Sequence, residues 1–431
     1  MSIYSYEEAF GAADKTTSAM KTAIEDWFSL YYDDQETTDA DPSQRIAYCV
    51  VNKLMKTMFG EYQVTVQTPF EQQVVAALDK KRLEAMQLAL IGGECYLKPW
   101  FSQGTVGFGV IPRNNLLVFG RDSDGNITDM GTVERTLEGK YYYTLLERRY
   151  LDKTGCLVIE NRLFQSLNSQ SLGNGVSLSQ VAKYAGLPAK YRYTIPLGLG
   201  LVQLKTPAVN CVDGSADGVS IYAAAAGLIR SIDENEAQLK GEFRRGESRI
   251  IASADMLDRD KQLSEHLFVG LDADPEEVGI TLFSPQLREQ SFLRRREAYL
   301  RNVESVIGLK RGTLSELTEQ QKTATEITSS AGDYNLTVIA LQRVWQEAVI
   351  RAVELCRVLA QSQGYSVKAG QLPAVDWGNG VLYDEDKAWA DYLTMVDKGL
   401  LKPELALAWR FNLPTDTEGD LARIRQKYMP N

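Results

Sequence analysis

Ile307-Gly-Leu-Lys-Arg-Gly-Thr-Leu-Ser-Glu-Leu-Thr-Glu-Gln-Gln-Lys-Thr-Ala-Thr-Glu-Ile327 decides how the rest of this 431-residue chain is read. Gly308 and Gly312 break the helical pattern, and the polar run from Gly308 to Gln321 reads as a loop. Upstream, Leu287 to Ile307 carries Phe292, Tyr299, Leu300, Val303 and Ile307 at helical spacing. Arg288 with Arg295, and Arg294 with Arg301, form heptad-spaced pairs on the same segment, either solvated or turned toward a partner. Downstream, Lys322 to Gln363 reads as one very long helix, apolar from Val338 to Leu359. At 1.5 Å per residue it would run about 60 Å, longer than an ordinary domain needs.

A second helix, Val219 to about Phe243, precedes this pair, with Ile221, Leu228, Ile232 and Leu239 as apolar markers and Arg244-Arg245-Gly246 as its stop. Between the two helices lie about forty residues, Glu247 to Gln286, too few for a core of their own. They hold a β-like run Arg249 to Ala252, a charged stretch Asp255 to His266 and short strands within Leu267 to Phe283. The first half of the chain opens with helices over Tyr6 to Tyr32, from an Asp41 N-cap with Pro42 through Met58, and over Phe70 to Ile91. From Cys95 to Gln203 the apolar period changes to two, with strands at Tyr96 to Phe101, Gly107 to Ile111, Asn115 to Phe119, Lys140 to Tyr150 and Cys156 to Phe164. The expected class is therefore α+β with antiparallel strands. A turn-rich link at Val375 to Asp386 leads to helices that continue to Tyr428.

Composition and missing motifs exclude several functions. Forty-seven Lys and Arg against 57 Asp and Glu give a net charge of -10, so the chain as a whole is no general binder of phosphate backbone. The five cysteines lie far apart without a CxxC pair, which fits a reducing compartment and no zinc ribbon. His266 is the one histidine, so a triad, a His-rich zinc site or an HExxH helix has no partners, and it reads as a surface or interface residue. No GxxxxGK[ST] occurs: Lys322-Thr323 follows two glutamines. Asp122-Ser-Asp124-Gly-Asn126 opens like an EF-hand but has Ile127 at the sixth position and Val133 at the twelfth, so a hairpin turn is expected instead. A carboxylate-metal hydrolase would have to use Asp272-Asp274-Glu276-Glu277 or Asp384-Glu385-Asp386, and both clusters fall in expected turns. The expectation is no enzyme, metal or cofactor. With neither a basic, apolar leader after Met1 nor a run of about 18 apolar residues, a soluble product of the cytoplasm with no membrane contact is expected.

In order, an α+β domain, a helix, a small insert, a second helix, a polar loop and a very long helix are similar to the portal proteins of tailed bacteriophages, in the branch typical of long-tailed phages of Gram-positive hosts. Two stretches carry most of the resemblance: the opening one, with its Lys322-Thr-Ala-Thr-Glu326 core, and Val375-Asp-Trp-Gly-Asn-Gly-Val-Leu-Tyr-Asp-Glu-Asp386 followed by Lys398-Gly-Leu-Leu-Lys402. Weaker likenesses run through Arg45 to Glu61 and Ala85 to Pro99, whereas 167–191 resembles nothing in the family.

The resemblance implies a wing at 1–216, stem helices at 217–244 and 287–307, a small α/β clip at 245–286, a tunnel loop at 308–321, a long kinked helix at 322–363 and a helical crown region at 364–431. It also implies a homo-dodecameric ring at one capsid vertex of the virion, assembled in the host cytoplasm. Through that ring an external ATP-driven large terminase packages double-stranded DNA, and the DNA later leaves. Further implied partners are a head-completion or adaptor protein and the major capsid and scaffold proteins. Residue by residue, Lys310, Arg311, Thr313, Ser315, Glu316, Glu319, Gln320 and Lys322 would face DNA from the loop. Arg288, Arg294, Arg295 and Arg301 would belong to the stem, and Arg249, Asp255, Asp258, Arg259 and His266 to partner binding by the clip. Family members often carry Pro, Asn and Asp around the loop, where this chain has mixed charges. The alternative is a structural head or scaffold protein that conducts no DNA.

Overall fold

Apolar periods of 3.6 and 2 resolve into eleven α-helices and fourteen strands among the described residues of a computed structural model. Those residues are 3–32, 43–102, 104–246, 249–253, 268–271, 281–283, 286–316, 324–368, 370–378, 385–411, 413, 415 and 418–429. The class is α+β. The chain divides into two units, one of 1–55 with 66–373 and one of 56–65 with 374–431. In chain order come α1 (Glu7–Phe10), α2 (Ser18–Tyr32), α3 (Ile46–Met58), β1 (Gln63–Thr65), α4 (Pro69–Asp79) and α5 (Arg82–Gly92). Nine strands follow: β2 (Glu94–Ser102), β3 (Thr105–Pro112), β4 (Leu116–Arg121), β5 (Ile127–Glu138), β6 (Tyr141–Leu151), β7 (Leu157–Ser166), β8 (Asn174–Val176), β9 (Lys190–Arg192) and β10 (Val202–Lys205). Then come α6 (Ala226–Arg245), β11 (Arg249–Ser253), β12 (Phe268–Leu271), β13 (Thr281–Phe283), α7 (Glu289–Ile307) and α8 (Ala324–Ser362). The chain closes with β14 (Ala374–Asp376), α9 (Glu385–Asp397), α10 (Pro403–Phe411) and α11 (Glu418–Tyr428).

In the first unit, β10, β2 and β3 form one antiparallel sheet, and β4 to β8 form a second, with β9 also on β7. Alternation along β4 splits its apolar residues between two cores. Leu116 and Val118 join Tyr96, Ile111 and Met130 on one face, and Leu117 and Phe119 join Tyr6, Phe10, Val133 and Leu146 on the other. α8 runs against α4, β2 and β10. Its Val338, Leu341, Trp345, Val349, Val353, Cys356 and Leu359 recur at helical spacing and are buried.

Four expectations need correction here. The helix expected over Tyr6 to Tyr32 breaks after α1, where Gly11 takes φ 69° and Asp14 accepts hydrogen bonds from Thr16 and from the Val118 amide. That break frees Tyr6 and Phe10 to fill the face of the second sheet. The helix expected to start at Asp41-Pro42 begins at Ile46, and both of those residues lie outside the described ones. The helix expected over Phe70 to Ile91 is two, α4 and α5, and α4 starts earlier, from a capping box between Thr68 and Glu71. Fourth, the helix expected from Val219 begins at Ala226: Ile221 lies in the turn before it, and Ala223–Ala225 form a single tight 3-10 turn. The strand β5 is one the sequence reading does not name, and Asp129 and Gly131 interrupt its alternation. Asp129 takes a two-pronged ion pair from Arg148 (3.0 and 2.7 Å), and a Cβ on Gly131 would come within 2.7 Å of Phe119 and 2.8 Å of Phe10. The Asp122 to Asn126 hairpin turn forms as expected, with Asp122 accepting from the amides of Asp124 and Asn126.

The insert between α6 and α7 contains a three-stranded sheet, β12-β11-β13, in which β11 pairs parallel with β12 and antiparallel with β13. In the second unit β1 pairs with β14, the Trp377 ring lies tilted against Tyr62 (5.2 Å between centroids) and Phe59 (6.3 Å), and Tyr392 lies 4.7 Å from Trp409.

Candidate functional site

The loop after α7 is folded onto that helix rather than hanging from it. Gly308 closes α7 in the left-handed conformation (φ 76°), and Leu309 turns inward to 4% exposure. Glu304, 1% exposed, sits one turn before the end of α7. Its carboxylate accepts hydrogen bonds from the amides of Gly312 (3.3 Å), Leu314 (2.5 Å) and Ser315 (2.9 Å) and from the Ser315 hydroxyl (2.7 Å). A buried carboxylate is tolerated only when donors replace its water, and here four do so. Glu297 holds the next residue by accepting from the Glu316 amide at 2.9 Å, while also receiving Arg301 Nε at 3.2 Å. From outside the loop, Lys53 of α3 donates to the Thr313 carbonyl (2.5 Å), and Thr337 of α8 donates to the Gly308 carbonyl (3.2 Å).

This arrangement sorts the expected loop residues. Lys310, Arg311 and Glu316 are exposed. Thr313 turns its hydroxyl back onto the Lys310 carbonyl. Ser315 does not point outward as expected: it is buried, with its hydroxyl on Glu304. Glu319, Gln320 and Lys322 lie outside the described residues, and Ala324 to Glu326 of the motif core open α8. Glu304 and Glu297, which hold this loop in place, are residues that the sequence reading missed.

The helix pair α6 and α7 is antiparallel, and its arginines have different surroundings. Arg288 grips Glu242 through two bonds (2.9 and 2.7 Å), and this contact holds the Glu242 carboxyl below its ordinary pKa. Asn235 donates to the Phe292 carbonyl at 3.2 Å. Arg301 pairs with Glu297 in its own helix and Arg295 donates to Tyr299, whereas Arg294 is exposed with no partner among the described residues. Of the expected clip residues, Arg249 opens β11, and Asp255, Asp258, Arg259 and His266 lie outside the described residues, as do Asp272 to Glu277 and Asp384.

In the segment before α6 the backbones of Gly93 and Gly218 touch: a Cβ on Gly93 would lie 2.3 Å from the Gly218 carbonyl carbon. The joint is fastened by Arg113, fully buried, which lies 2.9 Å from Glu94 and 3.1 Å from Asp217 and donates to Thr16 (3.0 Å) and the Leu116 carbonyl (2.9 Å). Burial and the Glu94 charge push the Tyr96 phenol well above its ordinary pKa, so it stays a donor to Glu94 at 3.0 Å. A second buried pair of contacts, Lys98 and Arg149 on Glu147, outweighs burial and lowers the Glu147 carboxyl to about 2.

Among the described residues no group of His, Cys, Asp and Glu could hold a metal ion, and no helix is long and apolar enough to cross a membrane. No protein-family model matches the chain, and no curated protein matches its sequence.

Proposed function

We propose that the chain is a portal protein of a tailed bacteriophage. Copies of it close into a dodecameric ring at one capsid vertex, the large terminase drives double-stranded DNA through that ring, and head-completion proteins dock on it afterwards. The observation that carries this reading is the pinned loop. A short turn held by Glu304 and Glu297 exposes Lys310 and Arg311 at fixed positions between a two-helix stem and a 39-residue helix. The stem enters and leaves a small sheet, which is the order of parts the resemblance calls for.

The physics of a conduit supports the same reading. A duplex sliding through a ring must not be held: each phosphate neutralised releases counterions and deepens a binding well. An acidic chain with two cations on each loop offers brief, repeated contacts instead of a continuous basic track. The work of translocation comes from the terminase, so the ring needs no nucleotide site of its own.

The experiment is to replace Lys310 and Arg311 together with alanine. Both are exposed and outside the buried contacts, so fold and assembly are expected to be unchanged. Packaged DNA length or ejection efficiency is expected to fall several-fold. Full heads at wild-type yield would remove the loop from the mechanism.

A further inference from the structure

We propose that Lys53 of α3 joins Lys310 and Arg311 in one phosphate-contact site, so that the DNA backbone meets a helix together with the loop. The inference rests on the conduit reading above and adds to that site a residue from far earlier in the chain.

The three cations gather around a single turn. The Thr313 amide donates to the Lys310 carbonyl at 3.0 Å, and Gly312 takes φ 84°. This is a four-residue turn with Lys310 and Arg311 at its first two positions and glycine at the third, where the positive φ falls. The first and last Cα atoms of such a turn lie less than about 7 Å apart. The Lys53 ammonium closes on the turn from α3, 2.5 Å from the Thr313 carbonyl oxygen. Each strand of a duplex carries one charge per about 3.4 Å along the axis, so a group of this size faces two or three phosphates at once.

The charge of the group is not cancelled locally. None of the three cations pairs with a carboxylate among the described residues, and all three are exposed. α3 has no Asp or Glu along its length, and neither has the stretch 305–315. Glu304 is buried and occupied by three amides and a hydroxyl, and Glu297 is occupied by Arg301 and the Glu316 amide. Glu316 is the one exposed acid on the described part of the loop. In a chain of net charge -10 this makes the turn a local cationic spot.

Lys53 is also held where it can serve. Val50, Val51 and Leu54 on the same helix are fully buried, so the core fixes the stem from which the ammonium reaches out. An ammonium has three donors; Thr313 takes one and two are left for phosphate oxygens. As a strut alone Lys53 would be redundant, because Glu304 already holds Gly312, Leu314 and Ser315. A third cation adds one released counterion to each contact and keeps the contacts separate, as a sliding duplex requires.

The test uses the full chain and a duplex of about 30 base pairs, with affinity followed by fluorescence anisotropy across a potassium chloride series. Lys53→Met is expected to flatten the plot of log affinity against log salt by about one, as Lys310→Ala does, and to weaken binding about tenfold at about 0.1 M salt. Lys53→Arg is expected to keep the wild-type slope. Hydrogen exchange at Gly312, Leu314 and Ser315 is expected to be unchanged in the methionine variant, since Glu304 still holds those amides. Lys205→Gln removes a lysine that sits on the Ala216 carbonyl elsewhere, and is expected to leave the slope as it is. A wild-type slope in Lys53→Met, beside a reduced one in Lys310→Ala, would overturn the three-cation site and leave the loop in the mechanism. A reduced slope accompanied by lost protection of the three amides, or matched by Lys205→Gln, would overturn it as well. A wild-type chain that holds no duplex even at low salt overturns both the site and the reading beneath it.

Discussion

Replacing Arg113 with leucine is expected to cost the first unit about 3–5 kcal/mol of stability, the range for leaving buried charges without their partner. The guanidinium is fully buried, and it is shared by Glu94 on β2 and Asp217 before α6, with Thr16 and the Leu116 carbonyl taking its remaining donors. Without it the Glu94 and Asp217 carboxylates remain buried; Asp217 keeps Arg121, at 2.5 Å, and among the described residues Glu94 keeps only neutral donors, Tyr96 and Gln203. Lysine should recover part of the loss, because it restores the charge but not the fork that reaches two carboxylates. Urea unfolding of the leucine and lysine variants measures both. A leucine variant within 1 kcal/mol of wild type would show that this cluster does not fasten the segment before α6 to the sheets.

Glu304→Ala is expected to release the loop while leaving the helices in place. Three amides and one hydroxyl lose a charged acceptor, each such bond contributing about 1.5–3 kcal/mol. Hydrogen exchange at Gly312, Leu314 and Ser315 is expected to accelerate about 100-fold or more, with little change at Val303 or in α6. Glu304→Gln keeps one carbonyl oxygen and should fall between the two. Unchanged protection of those three amides in the alanine variant would contradict the anchoring role.

What could be read from the sequence was whatever depends on period. The strands from β2 to β7, apart from β5, the helices α7 and α8, and α6 from Ala226 onward follow the alternation and the 3.6 spacing that their apolar residues show, whereas 219–225, expected to open α6, turn instead. What could not be read depends on contacts between distant residues. Gly131 interrupts a strand pattern because two phenylalanines, Phe10 and Phe119, occupy the space its side chain would fill. Lys80 and Lys81 look like helix interior, yet α4 and α5 separate there so that each can bury its own face. Nothing local distinguishes Arg113 from an exposed arginine. Glu304 did leave a signal, since it falls between Leu300, Val303 and Ile307 on the apolar side of α7, where a carboxylate needs donors from somewhere. Lys310 and Arg311, which the resemblance places on the loop, are exposed, whereas the inward turn of Ser315 had no local signal.

The central claim, a ring that DNA passes through, is tested most directly by the mass of the purified full-length assembly, taken together with its image along the symmetry axis. The account predicts a closed ring of twelve copies around an open hole that admits a duplex. A single chain at high concentration, or a closed assembly with no hole on its axis, would contradict it.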